Sequence, residues 1–111
     1  MKISLPPTFD VEDYVFWSIR MKNYLISIGL DVWSLVEERY DVPKTIPKGT
    51  DSKTKYWEHV RALNTLQVGL RKNVLSKVIS CASVKQLWDK LETIYAGDSK
   101  VKKENFQTYR L

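Results

Sequence analysis

Few residues in this 111-residue chain could do chemistry, and they stand apart from one another. One histidine, His59, and one cysteine, Cys81, are the candidates for a base and a nucleophile. A thiol nucleophile needs an activating partner, and a histidine base needs a group that orients it. His59 follows Glu58 inside a helical pattern and reads as a surface residue. Cys81 lies beside apolar Ala82 and close to Ile79, and reads as a small buried hydrophobe. Glu37 and Glu38 are adjacent on a helix, so their carboxylates diverge and cannot act as a pair. Zinc needs several Cys and His ligands at fixed spacing, which are absent. The four glycines, at 29, 49, 69 and 97, are isolated and form no phosphate loop. The expectation is therefore a protein that binds and is not an enzyme. It has no catalytic, cofactor-binding or metal residues, no cofactor and no small-molecule substrate.

What remains is aromatic and cationic. The chain has four tryptophans, six tyrosines and three phenylalanines. Trp17, Trp33, Trp57 and Trp88 each fall on the apolar stripe of a separate expected helix. A shared core is the plain reading, and base-stacking platforms are the sharper one. The core is preferred, because an amphipathic helix is held mainly by burying its stripe. The net charge is +5 and the isoelectric point about 9.3. The basic residues run along the chain, mostly interleaved with acids. They read as a soluble surface with excess lysine, or alternatively as a nucleic-acid patch.

The chain is long enough for one core without disulfide or metal staples. Hydrophobic residues make up 43% and charged residues 28%, which excludes wholesale disorder. Residues 1–12 read as an extended arm, with Pro6 and Pro7 keeping it out of the helical region. Asp13, or in competition Asp10, can cap a helix whose stripe is Tyr14, Trp17, Met21, Tyr24, Leu25 and Ile28. Gly29 is expected to stop it in a left-handed conformation. Asp31 can cap a second helix bearing Leu30, Trp33, Val36 and Tyr40. Residues 41–52 read as a loop. Asp51 or Ser52 opens a third helix, with Tyr56, Trp57, Val60, Leu63, Leu66, Gln67 and Leu70 as its stripe.

A break around Gly69–Lys72 releases a short fourth helix with Val74, Leu75, Val78 and Ile79. Ser83 and Gln86 form a capping box for a fifth, whose face is Val84, Leu87, Trp88, Leu91, Ile94 and Tyr95. Gly97 ends it, and Ser99 could cap a sixth that carries Val101, Phe106 and Tyr109. This last helix meets the chain end without a stop signal and reads as cut within a longer protein. No segment alternates with period two. The fold class is all-α, a bundle of five to six short helices: an arm over 1–12 and one helical domain over 13–111.

Val15, Phe16, Ile19 and Ile26 lie off the main stripe of the first helix and widen its apolar arc. Such a helix either crosses the middle of the core or offers a second face to a partner. With Arg20 and Lys22 they form the candidate interaction surface, to which the basic Lys100, Lys102 and Lys103 are added. The N-terminus has no apolar signal-peptide core and no apolar run approaches the roughly 18 residues of a membrane span. A cytoplasmic or nuclear location and no membrane partner are expected.

These residues resemble a known family. Phe9, Tyr14–Val15–Phe16–Trp17 and Arg20–Met21–Lys22–Asn23–Tyr24–Leu25 are similar to the opening of Gag polyproteins of plant copia-type LTR retrotransposons. The likeness continues through Gly29–Leu30–Asp31–Val32–Trp33, Val36–Glu37, Tyr40, Pro43 and Ala62–Leu63. It resumes from Ala82 to Tyr95, where Leu87–Trp88–Asp89–Lys90–Leu91 carries the likeness, and ends in Gly97, Lys100–Val101–Lys102–Lys103 and Gln107–Thr108. The family usually has Gly-Asn or similar where this chain has Val11–Glu12–Asp13. It also continues into a second helical lobe and a zinc knuckle whose Cys and His are missing here. The resemblance implies a fold like the N-terminal lobe of a retroviral capsid. It also implies self-association into capsid-like, virus-like particles, with element RNA held indirectly through the missing regions. The alternative is a host-domesticated Gag domain acting as a protein- or RNA-binding adaptor, with the loop at 41–52 and the basic C-terminal helix as contacts. Direct RNA binding by this lobe is a third possibility.

Overall fold

A computed structural model describes residues 5–96. Gly97, expected to end the fifth helix, and the expected sixth helix, with Ser99, Lys100, Val101, Lys102, Lys103, Phe106 and Tyr109, lie outside the described residues. The chain forms an all-α bundle: α1 Tyr14–Ile28, α2 Leu30–Glu37, α3 Thr50–Val68, α4 Lys72–Val78 and α5 Val84–Leu91. A π-helical turn, Glu92–Ala96, continues α5. No strand forms among the described residues; one parallel bridge joins Phe9 to Leu70.

The helices begin and end for reasons that partly differ from expectation. Gly29 separates α1 from α2, but its φ of 167° is extended backbone and not left-handed. It ends α1 by leaving the helical region while its N–H still bonds to Leu25 O. Gly29 is also the N-cap of α2, so Asp31 lies in the first turn instead of capping it. There its carboxylate still favours the positive end of the helix. Gly49 caps α3, which places Thr50, Asp51 and Ser52 inside the helix and shortens the loop. Asp13 is the N-cap of α1 but makes no side-chain capping bond. Its backbone is left-handed, with φ 54°, and its carbonyl accepts from Trp17 N–H. Ser83 caps α5 as expected: its Oγ accepts from Gln86 N–H at 3.1 Å. The reciprocal half shifts by one residue, because Gln86 Oε1 accepts from the Ala82 N–H at 2.9 Å.

The core takes one stripe from each helix. Tyr14, Trp17, Met21 and Leu25 of α1 are buried, as are Trp33 and Val36 of α2 and Leu87 and Leu91 of α5. Tyr24, Leu63, Trp88 and Tyr95 are half-buried against this core. Two expected core residues are not in it: Leu30 is 71% exposed and Trp57 is 48% exposed. Leu30 is the first residue of its helix, and the buried positions of α2 are Val32, Trp33, Leu35 and Val36. Trp57 is outside because the buried side of α3 is His59, Ala62, Thr65 and Leu66. That arc is smaller and more polar than the Trp57, Val60, Leu63 arc.

Residues 5–10 of the N-terminal arm form no helix, and the arm is docked. Phe9 is 1% exposed. Its N–H donates to Gly69 O at 2.7 Å, and its O accepts from Arg71 N–H at 3.3 Å. The Trp17 indole N–H donates to Pro7 O at 3.0 Å. Rings of Tyr14, Trp17 and Tyr95 surround Phe9 at centroid distances of 5.6, 5.1 and 4.9 Å. Gly69 explains how the arm fits in the break after α3. A Cβ there would meet Met21 Cε at 2.5 Å and Pro7 O at 2.7 Å. The glycine is needed for close approach and not for its φ, which is −80°.

Candidate interaction surface

The surface is built on α1. With about 100° of turn per residue, Trp17, Met21 and Leu25 share one side, and Phe16, Ile19 and Asn23 point away from it. The structure agrees: the first set is buried, whereas Phe16 is 58% and Ile19 42% exposed. The helix thus buries one apolar face and presents another to solvent. It carries no acid, and its cations are Arg20 and Lys22.

The six expected α1 surface residues do not all act alike. The Arg20 guanidinium lies over the Phe16 ring, 5.9 Å from its centroid, so the pair forms one unit on the outer face. Lys22 is exposed but turns its ammonium toward Trp33 of α2, 5.4 Å from the ring centroid. Val15 is half-buried on the flank. Ile26 is partly buried against the core, and so serves the fold more than the surface. The outer face is Phe16, Ile19 and Arg20, with Asn23 exposed one turn further along. Lys100, Lys102 and Lys103, also expected on this surface, lie outside the described residues.

His59 requires a correction. It is 2% exposed and not on the surface. Its Nε2 accepts the Val84 N–H at 3.0 Å, so a side chain of α3 satisfies a free amide in the first turn of α5. The acceptor role fixes the neutral ring with its proton on Nδ1. Burial pushes the imidazole pKa down, which favours the same neutral form. The Tyr40 ring stacks at an angle beside it, 4.9 Å away. The spacing His59, Ala62, Leu66 was the available signal, since it continues to Leu70 in steps of three and four.

Cys81 is buried, as its neighbours suggest. Among the described residues, no group of three or more His, Cys, Asp or Glu side chains comes together to hold a metal ion. Tyr14 stays a neutral phenol: burial raises its pKa most, and the charges of Glu92 and Asp89 raise it further. One open cleft, of about 380 Å³, is lined by Thr54, Trp57, Glu58 and Arg61 on the outside of α3.

No protein-family model, curated protein or solved structure matches this chain. The functional reading therefore stands on its own residues. No described helix is long and apolar enough to cross a membrane.

Proposed function

We propose that this domain is a self-associating helical module, the N-terminal capsid lobe of a copia-type Gag, which packs against copies of itself around element RNA. The observation that carries the reading is the double-faced α1. Its inner face is complete in the core, yet Phe16 and Ile19 remain exposed three residues apart on the outer face. Side chains exposed to this degree contribute less to the bundle's own stability than the buried ones do. They suit a partner helix, into whose grooves they can pack. The Gag-like series of residues in α1, α2 and α5 supports the copy-to-copy choice of partner.

A contact made through one short helix buries well under the roughly 1,200 Å² of a standard stable interface. Each contact is then weak, and assembly depends on many contacts acting together. Sedimentation of the chain over a range of concentrations tests this. A mass that rises with concentration, and returns to monomer in Phe16→Asp/Ile19→Asp, is the expected result. Both changes are at exposed positions, so helical circular dichroism should hold. Self-association unaffected by the two substitutions, or a strict monomer at every concentration, refutes the reading.

A further inference from the structure

The charge of this chain is not evenly mixed. Between Glu58 and Asp89, residues 59–88 contain Arg61, Arg71, Lys72, Lys77 and Lys85 and no Asp or Glu. The other 81 residues carry thirteen cations and thirteen acids, so this one stretch supplies the whole net charge of +5. The fold divides the five cations. Lys85 is paired with Asp89 at 2.8 Å, and Arg61 is on the outside of α3. Arg71 at the N-cap of α4 and Lys72 and Lys77 within it remain, all exposed.

From these observations we infer that the outward side of α4, flanked by these cations, binds the phosphates of RNA. Its inner side is fixed: Val74 and Val78 are fully buried, and the Arg71 N–H is held by Phe9 O. None of the three cations forms an ion pair among the described residues. Asp10 adjoins the Phe9–Leu70 bridge, yet no ion pair joins it to Arg71. Lys77 lies over the Tyr95 ring, 5.7 Å from its centroid, which aims its ammonium without neutralising it. Helix stability does not account for the arrangement. Arg71 and Lys72 stand at the positive end of α4, where cations are unfavourable.

A rise of about 1.5 Å and a turn of about 100° per residue set Lys72 and Lys77 about 7.5 Å apart along the helix and about 140° apart around it, so they flank the outward Asn73 and Ser76, a separation an extended polyanion spans and a single carboxylate does not. Protein partners are usually anchored by an aromatic residue, and the outward side of α4 has none. Without an aromatic to stack on bases, recognition is of the backbone and independent of sequence. The inference deepens the proposed function and rests on it only for the source of the RNA: the lobe itself, and not only regions beyond it, touches the packaged strand.

The test is fluorescence anisotropy of the chain with a labelled 20-nucleotide oligouridylate at several salt concentrations. Three phosphate contacts to a single strand predict a log–log salt slope of about −2, or about twentyfold weaker binding at 200 mM than at 50 mM salt. The variant Arg71→Gln/Lys72→Gln/Lys77→Gln should abolish binding. A second variant, Lys44→Gln/Lys48→Gln/Lys53→Gln, removes the same charge elsewhere and should bind like the parent. Equal losses in both variants would overturn the inference, as would undetectable binding at 50 mM salt. So would an α4 variant that keeps its RNA affinity but self-associates less, since its cations would then contact acids of a second copy. RNA binding by a strictly monomeric chain would support the α4 assignment while the assembly reading failed.

Discussion

Phe9→Ala should be the most damaging single truncation near the N-terminus, although the residue belongs to no helix. Phe9 is 1% exposed and touches three aromatic rings from two directions, Tyr14 and Trp17 of α1 and Tyr95 of the π-helical turn. Phe to Ala in a core costs about 3–5 kcal/mol. The arm can relax more than a helix can, so about 3 kcal/mol is expected here. For a domain of this size that is a Tm lower by roughly 12–24 °C. The backbone bonds to Gly69 and Arg71 then have little holding them, and the Trp17 indole loses the carbonyl of Pro7 as a fixed acceptor. The assay is thermal unfolding followed by far-ultraviolet circular dichroism and tryptophan fluorescence. Phe9→Leu, which refills most of the volume, should recover more than half of the loss. A fall of only a few degrees in Phe9→Ala would refute the claim that the arm is part of the core.

Three further outcomes are expected. His59 has a folded pKa below its unfolded value near 6.5, so the unfolded chain binds the extra proton first. Its stabilisation is complete above that value and is lost as pH falls below it, by at most about 1.4 kcal/mol per pH unit until the folded pKa is passed. Denaturant midpoints at successive pH values check this, with His59→Gln showing a flatter profile over the same window. Gly69→Ala should destabilise by about 1–3 kcal/mol, because Met21 Cε can move from the new Cβ but the Pro7 carbonyl is backbone. A Tm equal to that of the parent would contradict it. Val11→Gly should stabilise by about 1 kcal/mol, since a β-branched residue at φ 73° is in a region glycine enters freely. Chemical denaturation measures the gain.

Elements with one dominant apolar arc were legible in the sequence. The α1 stripe and the break near Gly69 follow directly from spacing, and Ser83 follows from capping chemistry. The widened apolar arc of α1 was legible, but its spacing did not separate the exposed Phe16 and Ile19 from the half-buried Val15 and Ile26. The failures come from α3, where two arcs compete. Of the expected stripe, Leu66 and Leu70 are buried and Leu63 is half-buried, but the buried arc turns away from Trp57 toward His59 and Ala62, where the histidine can serve an amide. Neither the partner amide at Val84 nor the arm's carbonyl at Pro7 is encoded within α3. Both are long-range, so no local pattern reveals them. Gly29 shows a milder version: its type marked the boundary, while its extended backbone was set by how α2 leaves α1.

Concentration-dependent NMR of the isotope-labelled chain tests copy-to-copy contact through α1 most directly. Raising the concentration from tens of micromolar toward millimolar populates contacts of the expected weak affinity. Amide shifts should move at Phe16, Ile19, Arg20 and Asn23, and stay still at the buried Val74 and Val78 of α4. Shifts confined to α3 around Trp57, or none on any helix, would contradict the account.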